Sequence, residues 1–255
     1  MPTKNFLSFR ELVLLDKPTK IDIIHNCNDF IALNKPNFIE LDDSAQQHGK
    51  NIVTALRGKK PEAFYRSVYP LDCHISGCAI IATHRKASEL LRNAYGSEIL
   101  LFRFTMLCKN TEHVESEIIC ELPLAKHFSK PMAIISRNTG KKSRTKFKLM
   151  EQIGDFSIYE ASCHYLRYHQ LRIHGATCGL KLLGEDIYND VPIPSLRYFK
   201  KIHFEKKPST ALFHSQCIHL SQVILHSSIY GHEITLEAKP PKNFEILLKI
   251  IRKFS

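Results

Sequence analysis

Asp72 stands in the run Tyr69-Pro70-Leu71-Asp72-Cys73-His74-Ile75-Ser76-Gly77, between a proline-stiffened approach and a Ser-Gly turn that opens an apolar, strand-like stretch. A carboxylate in such a place can carry chemistry or can cap the turn. Arg167 and Arg172 bracket the start of a helical pattern in Leu-Arg-Tyr-His-Gln-Leu-Arg-Ile-His. A guanidinium there can grip a carboxylate or phosphate through its planar fork, or can stand as a solvated charge. The 14 histidines invite a metal reading that their spacing opposes. His164, His169 and His174 step by five, which turns successive rings away from one another on a helix or a strand. His232-Glu233 lacks the second histidine of a zincin motif. None of the eight cysteines forms a CxxC pair. No metal site is expected, and the thiols read as reduced and mostly buried, in a cytoplasmic protein.

These residues need a framework, and the composition supplies one. The 255 residues are 44% hydrophobic and 24% charged, enough apolar surface for a core, which excludes disordered and low-complexity classes. No apolar run reaches the ~20 residues that cross a bilayer, and the first 20 residues lack a signal-peptide pattern. They read as a loosely attached leader, 1–20, ahead of one domain, 21–255. The excess of 36 Lys+Arg over 25 Asp+Glu gives a net charge of +11. That leaves open a polyanionic partner (RNA, DNA or an acidic membrane surface) or a solvated basic face.

Along the chain, Ile21–His25 and Phe30–Pro36 read as a hairpin about a polar turn, and 52–57 as a short helix. Ala87, Leu90, Leu91 and Ala94 keep helical spacing, with Thr83 as the expected cap. Residues 78–83, 98–107, 116–122, 145–153, 157–163 and 232–238 are expected strands. A helix is expected over 169–179, stopped by Gly179, and a closing helix over 244–254. Strands and helices do not alternate and no glycine-rich phosphate loop is present, so the fold class is α+β with a mainly antiparallel sheet.

The order of the segments carries further information. Phe-Ile-Ala-Leu-Asn-Lys-Pro (30–36), Leu71-Asp72 with Ser76-Gly77, Gly-Lys-Lys-Ser-Arg-Thr-Lys (140–146), Arg-Tyr-His-Gln-Leu-Arg-Ile-His (167–174), the 179–188 segment ending Gly-Glu-Asp-Ile-Tyr, Leu-Phe-His-Ser-Gln (212–216) and the 229–244 segment follow one another. This succession resembles the RluA-type pseudouridine synthases over roughly residues 21 to 248. The resemblance implies a bent, mainly antiparallel mixed sheet flanked by helices, with a basic cleft for RNA. It also implies a cofactor-free isomerase that converts a uridine of rRNA or tRNA to pseudouridine, with no membrane association and a monomeric state expected. Asp72 would act at the sugar, as nucleophile or as base, and Arg172 would be its ion-pair partner. A flipped base would stack on an aromatic ring, which maps to Phe104, beside Phe102; an ordinary core role is the alternative for that residue. Lys35 would support the cleft or touch phosphate. Arg167, Lys141, Lys142 and Lys146 would contact phosphate or stand solvated. Tyr188 and His214 read as scaffold.

The chain departs from the family pattern beside Asp72. The arginine two places before the aspartate is Pro70, the threonine before Ser-Gly is Ile75, the glycine that opens the Arg172 motif is Leu166, and Asn-Phe-Ile-Glu-Leu-Asp-Asp (37–43) replaces a glycine-rich run. These changes suit an enzyme for an already exposed uridine. They also suit a second reading, a catalytically silent RNA-binding relative acting in a ribonucleoprotein.

Overall fold

The computed structural model describes residues 6–14, 16–42, 51–200 and 213–254. Residues 1–5 of the expected leader, most of the polar stretch 42–50, and Leu212 lie outside them. The chain forms two compact units: Met1–Arg103 with Cys163–Arg167 and Leu220–Lys239, and Phe104–Ser162 with Tyr168–His219 and Pro240–Ser255.

In the first unit, Phe6–Leu14 pairs antiparallel with Lys17–Asn26, placing Phe6 opposite Asp22 and Phe9 opposite Thr19. Phe9 and Leu12 are buried. Residue 20, the expected end of a loose leader, therefore lies inside a strand. Of the apolar residues of this strand Phe9 and Leu12 point inward while Val13 is exposed, the register shifting between Phe9 and Val13. Lys17–Asn26 returns as the expected hairpin into Phe30–Lys35, which pairs antiparallel with Ser76–Ala82, Lys35 opposite Gly77. Every residue of Ser76–Ala82 is buried, which is why it reads as a continuous apolar run rather than an alternation. The next neighbour is Ile218–Leu225, whose outer edge takes Ile234–Glu237. Its middle holds Ser221 and Gln222, which break the apolar pattern. Both are bonded in place, the Ser221 hydroxyl donating to the Arg103 carbonyl at 2.9 Å and Gln222 accepting from Arg103 at 3.2 Å.

The Arg85–Gly96 helix buries Ala87, Leu91 and Ala94 as its spacing demands. Its cap is His84, not Thr83: the His84 ring accepts from the Ala87 amide at 3.2 Å, while the Thr83 hydroxyl donates to the Asn28 carbonyl. The Ile52–Lys59 helix is capped by Asn51, which accepts from the Thr54 amide at 2.7 Å.

In the second unit the strands lie in the order Leu100–Lys109 (from Phe104 onward), Phe156–Cys163, Thr145–Ile153, Glu117–Cys120. Phe147 faces Ala161 on one side and Ile118 on the other, both antiparallel. A separate short hairpin joins Leu124–Lys126 to Ala133–Ile135. The Gln170–Thr177 helix carries Arg172, and the closing helix, Lys242–Phe254, buries Phe244, Leu247 and Ile251. Each strand pair with a described register is antiparallel, and with the helices this is the α+β class expected.

Candidate functional site

The loop that bears Asp72 is fixed by its neighbours' side chains and by its own backbone. Tyr69 and Leu71 are buried on either side of Pro70, which is exposed. The Tyr69 hydroxyl donates to the Cys78 carbonyl at 3.0 Å, and its ring meets Phe102 edge-on at 4.7 Å. Beyond Asp72 the chain turns at once: the Ile75 amide donates to the Asp72 carbonyl at 3.0 Å, and the His74 amide donates to the Asp72 carboxylate at 3.1 Å. That last bond is an Asx turn, which aims the carboxylate. The turn leads into Gly77 at φ +124°, where a Cβ would stand 2.2 Å from the Leu220 carbonyl oxygen. Only glycine allows that approach, which gives the Ser-Gly pair its physical reason.

The Asn34-Lys35-Pro36 turn locks the same loop from the other side. Lys35 is fully buried, and its ammonium donates to the carbonyls of Pro36, Ile39 and Cys73 at 3.1, 2.9 and 3.1 Å. The Cys73 carbonyl also accepts from the Phe38 amide at 2.7 Å, and Asn37 donates to the His74 carbonyl at 2.6 Å. Lys35 is thus a strut beneath Asp72. With all three protons directed at carbonyls and no exposed surface, it is not placed to touch phosphate, and of its two expected roles the structure gives it the supporting one. Burial pulls its pKa from 10.5 to about 8, against the attraction of Cys73, Asp72 and Glu40. The Cys73 thiol is pushed up to about 12 by burial and then by Asp72, so it stays protonated and is no nucleophile. Burial also raises Glu40. In this first unit Arg167 lays its guanidinium 4.6 Å from the centre of the Tyr165 ring.

The second unit holds Arg172 by charge. His169 takes a left-handed conformation (φ 53°) at the start of the Gln170–Thr177 helix. Arg172, one turn on, is buried and forks onto Glu185 through Nε at 2.8 Å and Nη2 at 2.9 Å. Nη2 also donates to Asp186 at 2.9 Å, and Nη1 lies 3.3 Å from His169 Nε2. Glu185 is buried and accepts two further bonds, from the Ile187 and Tyr188 amides at 2.9 and 3.1 Å. The loop that delivers it depends on Gly184, at φ +81°, where a Cβ would stand 2.5 Å from the Ser215 carbonyl oxygen. Tyr188 joins the cluster: its hydroxyl accepts from the Ala133 amide at 2.8 Å and lies 3.0 Å from His169 Nδ1. Tyr188, read from sequence as scaffold, thus ties the Ala133 strand to His169. Glu185 was not assigned to Arg172 from sequence at all; the adjacent acids of Gly-Glu-Asp-Ile-Tyr were the available signal.

The same helix is tied to the Lys141–Lys146 segment by a relay. Gln170 donates to the Arg144 carbonyl and to Thr145 Oγ1, both at 3.1 Å, and Thr145 Oγ1 lies 2.9 Å from His174 Nδ1. His174 Nε2 lies 2.9 Å from the Leu122 carbonyl, so that nitrogen carries the proton and Nδ1 accepts from Thr145. Lys146 pairs with Glu117 at 2.8 Å on a half-exposed edge, while Lys141 and Lys142 are exposed. Phe104 has no exposed surface. Its ring is closed into the core, matching the packing alternative weighed for it and leaving no open face for a base. His214 is exposed. Among the described residues no group of three or more His, Cys, Asp or Glu converges as a metal site, and no helix is long and apolar enough to cross a membrane.

Comparison with known proteins bears on this arrangement directly. The model of the RNA pseudouridylate synthase family matches residues 29–177, more than half of the chain. The chain is 24% identical to the ribosomal large subunit pseudouridine synthase C of Rickettsia bellii (strain RML369-C), over 95% of this chain and 76% of that protein. It is 22% identical to the ribosomal large subunit pseudouridine synthase D of Zymomonas mobilis subsp. mobilis (strain ATCC 31821 / ZM4 / CP4), over 91% and 73%. In fold it is similar to human RNA pseudouridylate synthase domain containing 4, with a TM-score of 0.69 at 15% identity over 90% of this chain and 92% of that one. The matched region runs from the hairpin before Lys35, through the Asp72 turn, to the end of the Arg172 helix: the chain belongs to the RNA pseudouridylate synthase family, in its RluA-type branch, whose members isomerise uridine to pseudouridine in RNA.

Proposed function

We propose that the protein converts a uridine of large-subunit ribosomal RNA to pseudouridine, with Asp72 acting at the sugar and Arg172 as its guanidinium partner. The observation that carries this reading is the Asp72 turn: a half-buried carboxylate, aimed by the His74 amide, on a loop whose next carbonyl is gripped by both Lys35 and Phe38. Preorganisation of that kind suits a group that must meet a reacting carbon in one geometry. The reaction breaks the bond from C1′ to N1, turns the uracil, and forms a bond from C1′ to C5; the proton lost from C5 is balanced by one gained at N1. No atom is added or removed, so no cofactor is required by the stoichiometry. A carboxylate near an extruded base loses water, which disfavours its charged form, and a guanidinium opposes that loss. The ribosomal target is favoured by the names of the relatives, which are similar to this chain over most of its length.

The test is direct. The purified chain is incubated with total RNA from cells lacking the gene, and pseudouridine is mapped by mass spectrometry against an Asp72→Ala control. A site in large-subunit rRNA that forms only with the intact chain is the expected result. A site only in tRNA would redirect the substrate. No site in any RNA, with RNA binding intact, would replace the enzyme by a silent RNA-binding relative.

A further inference from the structure

Phe128, at the tip of the hairpin joining Leu124–Lys126 to Ala133–Ile135, is 95% exposed, whereas the next most exposed large apolar side chains among the described residues, Val13 and Met150, stand at 56%. A lone apolar residue on a surface is ordinary. This one is mounted. The His127 ring lies behind it, stacked at 4.8 Å with 21° between the planes. His127 is itself fixed, because its Nδ1 accepts from the Ser129 and Lys130 amides, both at 3.1 Å. The tip is closed by the His127 amide donating to the Met132 carbonyl at 2.9 Å and the Met132 amide donating to Lys130 at 2.8 Å. The outcome is a rigid, flat, backed aromatic face directed into solvent, with the exposed Lys126 and Lys130 two residues before and after it in the chain.

The hairpin is also keyed to the Arg172 helix within the same unit. Leu124 and Ala133 pack with Ile173, and Tyr168 and Tyr188 lie against them. The Tyr168 hydroxyl donates to the Pro131 carbonyl at 3.2 Å, while the Lys126 ammonium stands 5.0 Å over the Tyr168 ring. Tyr188 holds the Ala133 amide and reaches His169, which lies beside Arg172. A ligand seated on Phe128 is therefore held in fixed register with the guanidinium cluster.

We propose that Phe128 is a stacking plate for an unpaired base of the RNA, with Lys126 and Lys130 against the adjoining phosphates. This rests on RNA being the substrate. The chemistry favours a nucleobase over a protein partner: a single backed ring, with an exposed lysine two residues away along the chain in each direction and on a chain of net charge +11, is how single-stranded nucleic acid is held. A protein docking surface would need a contiguous apolar patch instead.

Binding of a short uridine-rich single-stranded oligoribonucleotide carrying one 2-aminopurine tests the inference by fluorescence, with the full chain. Phe128→Ala and Phe128→Leu should each weaken binding about tenfold, about 1.4 kcal/mol, while Phe128→Trp binds at least as tightly as the parent. The slope of log affinity against log salt should be unchanged by Phe128→Ala and shallower by about 0.7 for each lysine replaced by alanine at 126 or 130. Thermal stability should be the same in all variants, since the side chain is outside the core. Three results would each overturn the plate: parental binding by Phe128→Ala, parental binding by Phe128→Leu, or no binding by the parent. The readout needs no turnover, so it stands apart from the proposed reaction. Pseudouridine formation alongside unaltered binding by Phe128→Ala would remove the plate and leave the enzyme.

Discussion

Asp72 and Arg172 are immobilised by opposite means. Asp72 is half-buried and is held through the backbone around it, by amide and Lys35 ammonium hydrogen bonds on the carbonyls of Asp72, Cys73 and His74 and by the buried flanks Tyr69 and Leu71. Arg172 is buried and is held through its own side chain, by a two-point fork on Glu185 and a third bond to Asp186. The first arrangement fixes a carboxylate's position through its backbone and leaves the side chain only half-buried, as a group that meets substrate requires. The second encloses a charge, at a desolvation cost that only its countercharge offsets. Position at Asp72 is thus separable from stability, whereas at Arg172 the two are coupled.

The sharpest way to break that contrast is to alter each group while keeping its shape. Asp72→Asn should lower pseudouridine formation at least about 1000-fold, the upper range for removing an acid–base group or beyond, and should shift the melting temperature little. A loss of stability as large as that caused by the Arg172 cluster variants would contradict the contrast. Glu185→Gln should do the reverse. It removes the charge of the buried carboxylate on which the Arg172 guanidinium forks at two points. Breaking a buried pair costs about 3–5 kcal/mol, or roughly 10 °C in melting temperature for a chain of this size. Arg172→Lys should fall similarly, because an ammonium cannot span both oxygens of Glu185 and reach Asp186. Thermal and urea unfolding read both.

Lys35 tests whether the Asp72 side carries any burden of buried charge. Its pKa stands at about 8 in the folded chain against 10.5 ordinarily, with Asp72, Cys73 and Glu40 as the titratable groups around it. The folded chain releases this proton at lower pH than the unfolded chain. The cost of the buried charge is therefore fully present below about pH 8 and is relieved as pH rises toward 10.5. Stability gains from this residue across that window, by up to about 3 kcal/mol, and Lys35→Met abolishes the gain. The difference in unfolding free energy, parent minus variant, should rise through the window; a flat difference would show that Lys35 carries no buried charge.

How much of this was legible in the sequence follows from the range of each signal. The Arg85–Gly96 helix shows in local periodicity, the Gln170–Thr177 helix in the Gly179 that stops it, and the Thr145–Ile153 and Phe156–Cys163 strands in their β-branched and aromatic residues and the Gly154-Asp155 turn between them. The Asp72 turn shows because its glycine, proline and aspartate are local devices. The Leu124–Lys126 and Ala133–Ile135 strands are three residues each, too short to establish a period, and so the hairpin that presents Phe128 went unseen. Ile218–Leu225 carries polar residues whose partners, Arg103 and Glu237, lie elsewhere in the chain. Glu185 illustrates the same limit at the site. A carboxylate 13 residues from its arginine has no periodic relation to it, and only the folded loop after Gly184 brings them together. Thr83 and His84 differ for a local reason, since either side chain can cap and the one not bonded to Asn28 does so.

The smallest expected effect concerns Pro70, and the way Asp72 is held makes it interpretable. Tyr69 and Leu71 anchor the loop through buried side chains, and the turn beyond Asp72 is closed by its own amides, so the exposed side chain between them can change without moving the carboxylate. Pro70→Arg removes a residue with no charge and no donor, and introduces a cation with five donors at the position where the family pattern has arginine. The loss of the ring's restraint on the unfolded chain should cost no more than about 1 kcal/mol. Turnover of a structured RNA, in which the target uridine must be drawn from its stack, should rise several-fold, whereas turnover of the same sequence unstructured should stay level. A rise in both would mean that the new charge merely tightens RNA binding. Unchanged or lower turnover of the structured RNA would mean that this chain has replaced the missing arginine by another route, and that the segment 37–43, rather than position 70, is where its difference from the family resides.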